Sequence, residues 1–202
     1  MCGGPVVRND VESPQEKAPR GNSKASQKQS VAKKQSFKDK GPWDCFLTHD
    51  WAKDELKRNN HQRVSMLKEA LEARGYKTWF DEEMMTGNIE RKMMEGIDGS
   101  RTIICFVTDR YCEKANGDGE RGDDDNCKFE LDYALKRKGA AAIYPVVMEP
   151  RMRDTGNWSG IVLGKLGGKL YADFSEDDKL ESAVDVIDRF LQDFSAKGEV
   201  RA

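Results

Sequence analysis

Residues 102–108 read Thr-Ile-Ile-Cys-Phe-Val-Thr, TIICFVT, five apolar residues in a row between two threonines, with no charge. A strand with one face in water alternates apolar and polar side chains. One that is apolar throughout has both faces covered, and that is the habit of parallel sheets with helices above and below. The run is too short to span a membrane and too rich in β-branched and aromatic residues to favour a helix. It is therefore expected to be an interior strand of an α/β domain, and the segments on either side test that expectation.

Upstream, Trp43 to His49 (WDCFLTH) reads as another strand. A helix is expected from Asn60 to Arg74, with Val64, Leu67 and Leu71 on one face and a stop at Gly75. Tyr76 to Asp81 (YKTWFD) is a second strand, followed by the loop EEMMTGN and a short helix with Ile89, Met93 and Ile97 inward, closed by Gly99. Downstream of residue 108 lies an acidic loop, then Asn126 to Leu135 (NCKFELDYAL), whose Cys127, Leu131, Ala134 and Leu135 share one helical face with Glu130 at its edge. A fourth strand is expected over Ala142 to Met148, with Pro145 marking an edge-like or irregular start. A long loop leads to a fifth strand at Leu170 to Asp173. The last helix repeats Leu180, Ala183, Val184, Ile187, Phe190, Leu191 and Phe194 at i, i+3, i+4, i+7, with Ser175 and Asp178 spaced as a capping box.

Strands alternating with helices imply an α/β fold: a flavodoxin-like, five-stranded parallel sheet of order 2-1-3-4-5 with helices on both faces. Ligands of such sheets bind where the winding reverses, at the carboxyl ends of strands one and three. The loops leaving those strands are Thr48-His49-Asp50-Trp51 and the stretch from Thr108 to Glu130, so the fold alone brings Glu130 to the crevice.

The 202-residue chain carries a net charge of −2. Residues 1–41 hold nine Lys and Arg against four Asp and Glu, a net of +5, which leaves −7 on the remainder. That basic, apolar-poor segment is expected to be a disordered tail, with one domain over 42–196 and a short tail at 197–202. No apolar run reaches membrane-spanning length and the N-terminus lacks the hydrophobic region of a signal peptide. The five cysteines are odd in number and scattered, and Cys45, Cys105 and Cys127 sit in apolar contexts, as in a reducing compartment, which points to the cytoplasm. No CxxC pair exists and His49 and His61 are not at ligand spacing, so no metal site is expected. The acidic stretch GDGERGDDDN lacks the spacing of a calcium loop. The run GKLGGK fails the phosphate-loop pattern and precedes a strand where a helix is required. The acidic balance of the domain disfavours nucleic acid.

DCFLTH on the first strand, GYKTWFDEEMMTGN across the second strand and its loop, GIDGSRTIICFVTDRY, and the helix start CKFEL occur in that order. Over roughly residues 42–196 this pattern resembles the Toll/interleukin-1 receptor (TIR) domain, of the type that cleaves NAD+. Asn126 stands where the plant-type family usually has an aromatic residue, and the gap from Glu113 to Asp125 is longer and more acidic than usual. The resemblance implies an NAD+ hydrolase that takes NAD+ as substrate and needs no cofactor. It gives Glu130 the catalytic role and the loop Glu82 to Asn88 a part in TIR–TIR assembly. Thr48, His49, Asp50, Trp51, Arg58, Met85, Gly87 and Cys127 are then candidate substrate contacts, with Trp51 or Trp158 as a stacking ring and Arg58 at the pyrophosphate. The alternative is a non-catalytic adaptor that works through TIR–TIR contacts with other copies.

Overall fold

The computed structural model describes residues 42–80 and 88–199. The expected basic tail at 1–41 lies outside the described residues, as do 200–202 and residues 81–87, among them Met85 and Gly87 of the loop after the second strand.

Five parallel strands form one sheet: β1 (Trp43–Thr48), β2 (Thr78–Trp79), β3 (Ser100–Val107), β4 (Ile143–Val147) and β5 (Ala172–Asp173), in the order β2-β1-β3-β4-β5. Helices α1 (Asn60–Ala73), α2 (Ile89–Gly99), α3 (Asp109–Asn116), α4 (Asn126–Lys138), α5 (Gly160–Leu166) and α6 (Leu180–Glu199) connect and follow them. Parallel crossovers are right-handed, so the side a helix takes depends on the direction in which the chain steps along the sheet. Only the step from β1 to β2 runs one way; the steps β2 to β3, β3 to β4 and β4 to β5 run the other. Accordingly α1 covers one face and α2 to α5 the opposite one, while α6 returns to lie beside α1.

The strand side chains divide by parity between the two layers, as a pleated sheet requires. Phe46, Ile103, Cys105, Val107, Ile143 and Val147 pack with Met93 and Ile97 of α2, Tyr111 and Cys112 of α3, and Leu131 and Ala134 of α4. Cys45, Leu47, Ile104, Phe106 and Val146 pack with Val64, Leu67 and Leu71 of α1 and Val184, Ile187 and Leu191 of α6. Each fully buried Ile, Leu, Val or Phe contributes about 1.5–3 kcal/mol of transfer free energy. The TIICFVT run, like β1 and β4, has residues that serve both layers. At the outer edge, α2 approaches closely because Gly96 has no side chain: a Cβ there would lie 2.5 Å from the Trp79 ring, which in turn stacks on Phe46 with centroids 4.3 Å apart.

Five expectations need correction. The expected long loop before β5 carries a helix, α5. Residues 109–116 form a helix, not a loop: Thr108 caps it by accepting from the Tyr111 amide, and Gly117 closes it at φ 83°. Pro145 sits inside the interior strand β4, paired in register with Cys105. The Met148 amide bonds to Val107 and the Val147 carbonyl receives Phe174, so residues of Pro145's parity point toward β5. Because β5 pairs only with Val146 and Val147, the missing N–H of Pro145 leaves no ladder bond unmade. Ser175 does not cap α6; its hydroxyl donates to Asp173 and accepts from Arg153. Finally, α6 extends to Glu199, three residues into the expected C-terminal tail.

Candidate functional site

At the reversal point between β1 and β3, the last residue of β1 meets α3 and α4. Thr48, 1 % exposed, donates its hydroxyl to Glu130 Oε2 at 2.6 Å. Its single proton being used there, the hydroxyl group of Tyr111, 3.1 Å away, donates to Thr48 Oγ1. Burial holds the Tyr111 phenol protonated, with its pKa well above the ordinary value. The order is therefore Tyr111 to Thr48 to Glu130, each hydroxyl aimed at the next acceptor, ending on a carboxylate that is 9 % exposed.

The chain places Glu130 there by a local device. Asp125 caps α4, accepting the Cys127 amide at 2.9 Å, which fixes the first turn and sends Cys127, Glu130, Leu131 and Ala134 to the buried side. Glu130 thus falls in the second turn. The Cys127 thiol contacts the His49 carbonyl with sulfur at 3.6 Å. Burial, and then the neighbouring Glu130, keep that thiol protonated well above its usual range.

Above Glu130 lies a cleft of about 230 Å³, lined by His49, Trp51, Ile89, Lys114 and Arg121 together with Asp125, Asn126 and Cys127. Its aromatic wall is a stack. Trp51 lies on His61 with centroids 3.9 Å apart, His61 on Phe80 at 4.7 Å, and His49 on Phe80 at 5.2 Å. His49 Nε2 and His61 Nδ1 share a hydrogen bond of 2.9 Å. Burial, then His61, depress the His49 pKa to about 3, so this ring is neutral at physiological pH. Trp51 is 45 % exposed and offers the open face of the stack.

Across the cleft, Lys114 of α3 binds Asp50 at 2.8 Å and Asp125 at 3.6 Å. Both carboxylates are almost fully buried. Burial opposes the charge on Lys114, but the carboxylates of Asp50 and Asp125 outweigh it and raise its pKa. One cation between two buried anions ties the loop after β1 to the helices after β3, across 64 residues of sequence between Lys114 and Asp50.

Of the residues singled out from sequence, Glu130, Thr48, His49, Trp51 and Cys127 come together at this cleft. Asp50 stands behind the lining, held by Lys114. Met85 and Gly87 lie outside the described residues. Arg58 is elsewhere: its guanidinium binds Asp54 at 2.7 Å and the carbonyls of Met148 and Ser175 at 3.1 and 2.8 Å. It satisfies carbonyls at the carboxyl ends of β4 and β5 and does not line the cleft. Trp158 is buried and donates its ring N–H to Met152 at 2.8 Å, so it presents no face to a ligand. Sequence reasoning missed Lys114 and Arg121. The spacing of Tyr111, Cys112 and Ala115 was the available sign that Lys114 rides on a helix.

The described residues include no helix long and apolar enough to cross a membrane. Among curated proteins none matches the chain in sequence. Solved structures do resemble it. The TIR domains in the activated Roq1 resistosome, which recognises the pathogen effector XopQ, align at 15% identity over 73% of this chain and 98% of that one, with a TM-score of 0.50. The TIR domain of the Toll-related receptor TRR-2 from Hydra magnipapillata aligns at 17% identity over 74% and 98%, with a TM-score of 0.48. A metazoan TIR-STING receptor from C. gigas aligns at 13% identity over 70% of this chain and 40% of that one, with a TM-score of 0.45. At such identities the likeness concerns the fold. The family model of the TIR domain matches residues 46–187, from within β1 to within α6. This chain belongs to the TIR domain family.

Proposed function

We propose that the protein is an NAD+ hydrolase of the TIR family, cleaving the bond between nicotinamide and ribose. The observation that carries this reading is a carboxylate at the floor of a concave site, aimed by a buried hydroxyl relay and walled by an exposed indole. The scissile bond joins C1′ of ribose to a pyridinium nitrogen that is already cationic. When it breaks, the bonding pair leaves with neutral nicotinamide, so no acid is needed to protonate the leaving group, unlike an ordinary glycoside. The remaining burden is the positive charge left on ribose. Glu130 would stabilise that charge, or bond to C1′ as an ester until water replaces it. Thr48 holds Oε2 in place. The products are nicotinamide and ADP-ribose, or a cyclised form of it.

Neutral His49 and the exposed Trp51 suit a flat aromatic ligand, which stacks without needing charge. The cysteines Cys45, Cys105, Cys112 and Cys127 are free and buried, which fits a reducing cytoplasm. A cleft of about 230 Å³ is below the roughly 300–1,000 Å³ usual for small-molecule sites. It suits the nicotinamide riboside end of the substrate, with assembly of TIR domains covering the rest.

The second reading, an adaptor without catalysis, takes its support from the resistosome in which the Roq1 TIR domains were solved. Nicotinamide release from NAD+ by wild type, beside Glu130→Gln, separates the two. A hydrolase loses release with the substitution. An adaptor releases none in either form while still assembling.

A further inference from the structure

The cleft over Glu130 opens into an outer groove of about 520 Å³, lined by Asn88, Ile89, Glu90, Arg121, Asp124 and Asn126. The two hollows share Ile89, Arg121 and Asn126, so Arg121 stands at their junction. Arg121 and Asp124 come from the acidic stretch between α3 and α4. A turn closed by the Asp124 amide on the Arg121 carbonyl, 3.1 Å long, precedes α4, and residues three apart in such a turn project to the same side. Lys114, the other cation of the inner cleft, is committed to Asp50 and Asp125. Arg121 makes no ion pair among the described residues and is exposed. Glu90 and Asp124 line the outer groove only.

Resting on the NAD+ hydrolase reading, we infer that Arg121 binds the substrate's pyrophosphate and that Glu90 and Asp124 select NAD+ over NADP+. With nicotinamide riboside over Glu130, the pyrophosphate falls at the junction, where a guanidinium offers paired donors to phosphate oxygens. The adenosine then occupies the outer groove. Carboxylates there accept hydrogen bonds from ribose hydroxyls, the arrangement by which acidic residues favour the unphosphorylated dinucleotide. A 2′-phosphate would bring two negative charges against Glu90 and Asp124, and such like-charge juxtaposition discriminates by repulsion. Together the two hollows also provide the room that the inner cleft alone lacks.

The test compares kcat/KM for NAD+ and NADP+ in wild type, Glu90→Gln/Asp124→Asn, Arg121→Ala and Arg121→Lys. Beside it runs calorimetric binding of ADP-ribose and 2′-phospho-ADP-ribose to the Glu130→Gln protein, with and without the paired acid substitutions. Wild type is expected to favour NAD+ by about tenfold or more, and the paired substitution to bring the ratio below about threefold by raising efficiency on NADP+. Arg121→Ala is expected to raise KM for NAD+ about tenfold, with partial recovery in Arg121→Lys. Equal efficiency on both dinucleotides, or a preference indifferent to Glu90 and Asp124, overturns the inference while leaving the hydrolase intact. If neither dinucleotide is cleaved, the hydrolase reading fails and the binding arm decides. Tighter binding of ADP-ribose that the paired substitution abolishes upholds the assignment of the groove; equal or absent binding overturns it.

Discussion

Glu130 sits on the apolar side of its helix because a partner waits for it there. The Thr48 hydroxyl at 2.6 Å, backed by Tyr111, gives a buried carboxylate the hydrogen bond without which burial is expensive. Glu130→Gln keeps the shape and the acceptor oxygen, so it is expected to change stability by less than about 1 kcal/mol in chemical denaturation while abolishing nicotinamide release. Thr48→Val removes the donor and leaves Tyr111 and Glu130 without their shared partner. It is expected to cost about 1–3 kcal/mol and to lower turnover. His49 supplies a pH signature. Its pKa is about 3 in the folded protein against about 6.5 when unfolded, so below pH 6.5 the unfolded chain binds a proton that the folded one refuses. Stability is complete above pH 6.5 and falls with pH toward 3. Between pH 6.5 and 5 this one ring accounts for about 2 kcal/mol. Thermal unfolding of wild type should therefore fall more steeply over that window than that of His49→Gln, and equal slopes would contradict the assignment.

At the scale of elements, the decisive piece is α3, which the sequence disguises. Eight residues with three buried ones, Tyr111, Cys112 and Ala115, give too little periodicity to stand out beside the acidic stretch that follows. Yet it delivers Lys114 to the cleft and Tyr111 to the hydroxyl relay beneath it. Lys114→Met removes the cation from between Asp50 and Asp125, leaving Asp50 only the more distant Arg110, 3.5 Å away. A loss of about 3–5 kcal/mol is expected, read as a drop in melting temperature, and Asp50→Asn in the same protein should recover part of it. If the single and double variants melt alike, the three charges do not act as a unit. Pro145 carries a related lesson. Read alone it argues for an edge strand, whereas its missing donor points where β5 has not yet begun, a fact of register that no local pattern contains.

For the whole molecule, strand order and the side taken by each helix follow from a few general rules. One fully apolar run implied a covered parallel sheet, and right-handed crossovers then distribute the helices. That is why the architecture, and the arrival of Thr48, His49, Trp51, Cys127 and Glu130 at one crevice, could be read from the chain. Long-range charge pairing could not. Nothing in the sequence states that Arg58 turns to the carbonyls of β4 and β5, or that Asp50 and Asp125 converge on Lys114, because those choices depend on side-chain directions after folding. If assembly completes the substrate site, specific activity should rise with protein concentration and fall on dilution; activity strictly proportional to concentration would mean that one domain suffices.

The measurement that tests the central claim most directly is nicotinamide release from NAD+ by purified protein across a concentration series, wild type beside Glu130→Gln. Release by wild type and none by the folded variant is the result expected of a hydrolase whose key group is Glu130. Equal release by both, or none by either at concentrations where the protein is assembled, would contradict it.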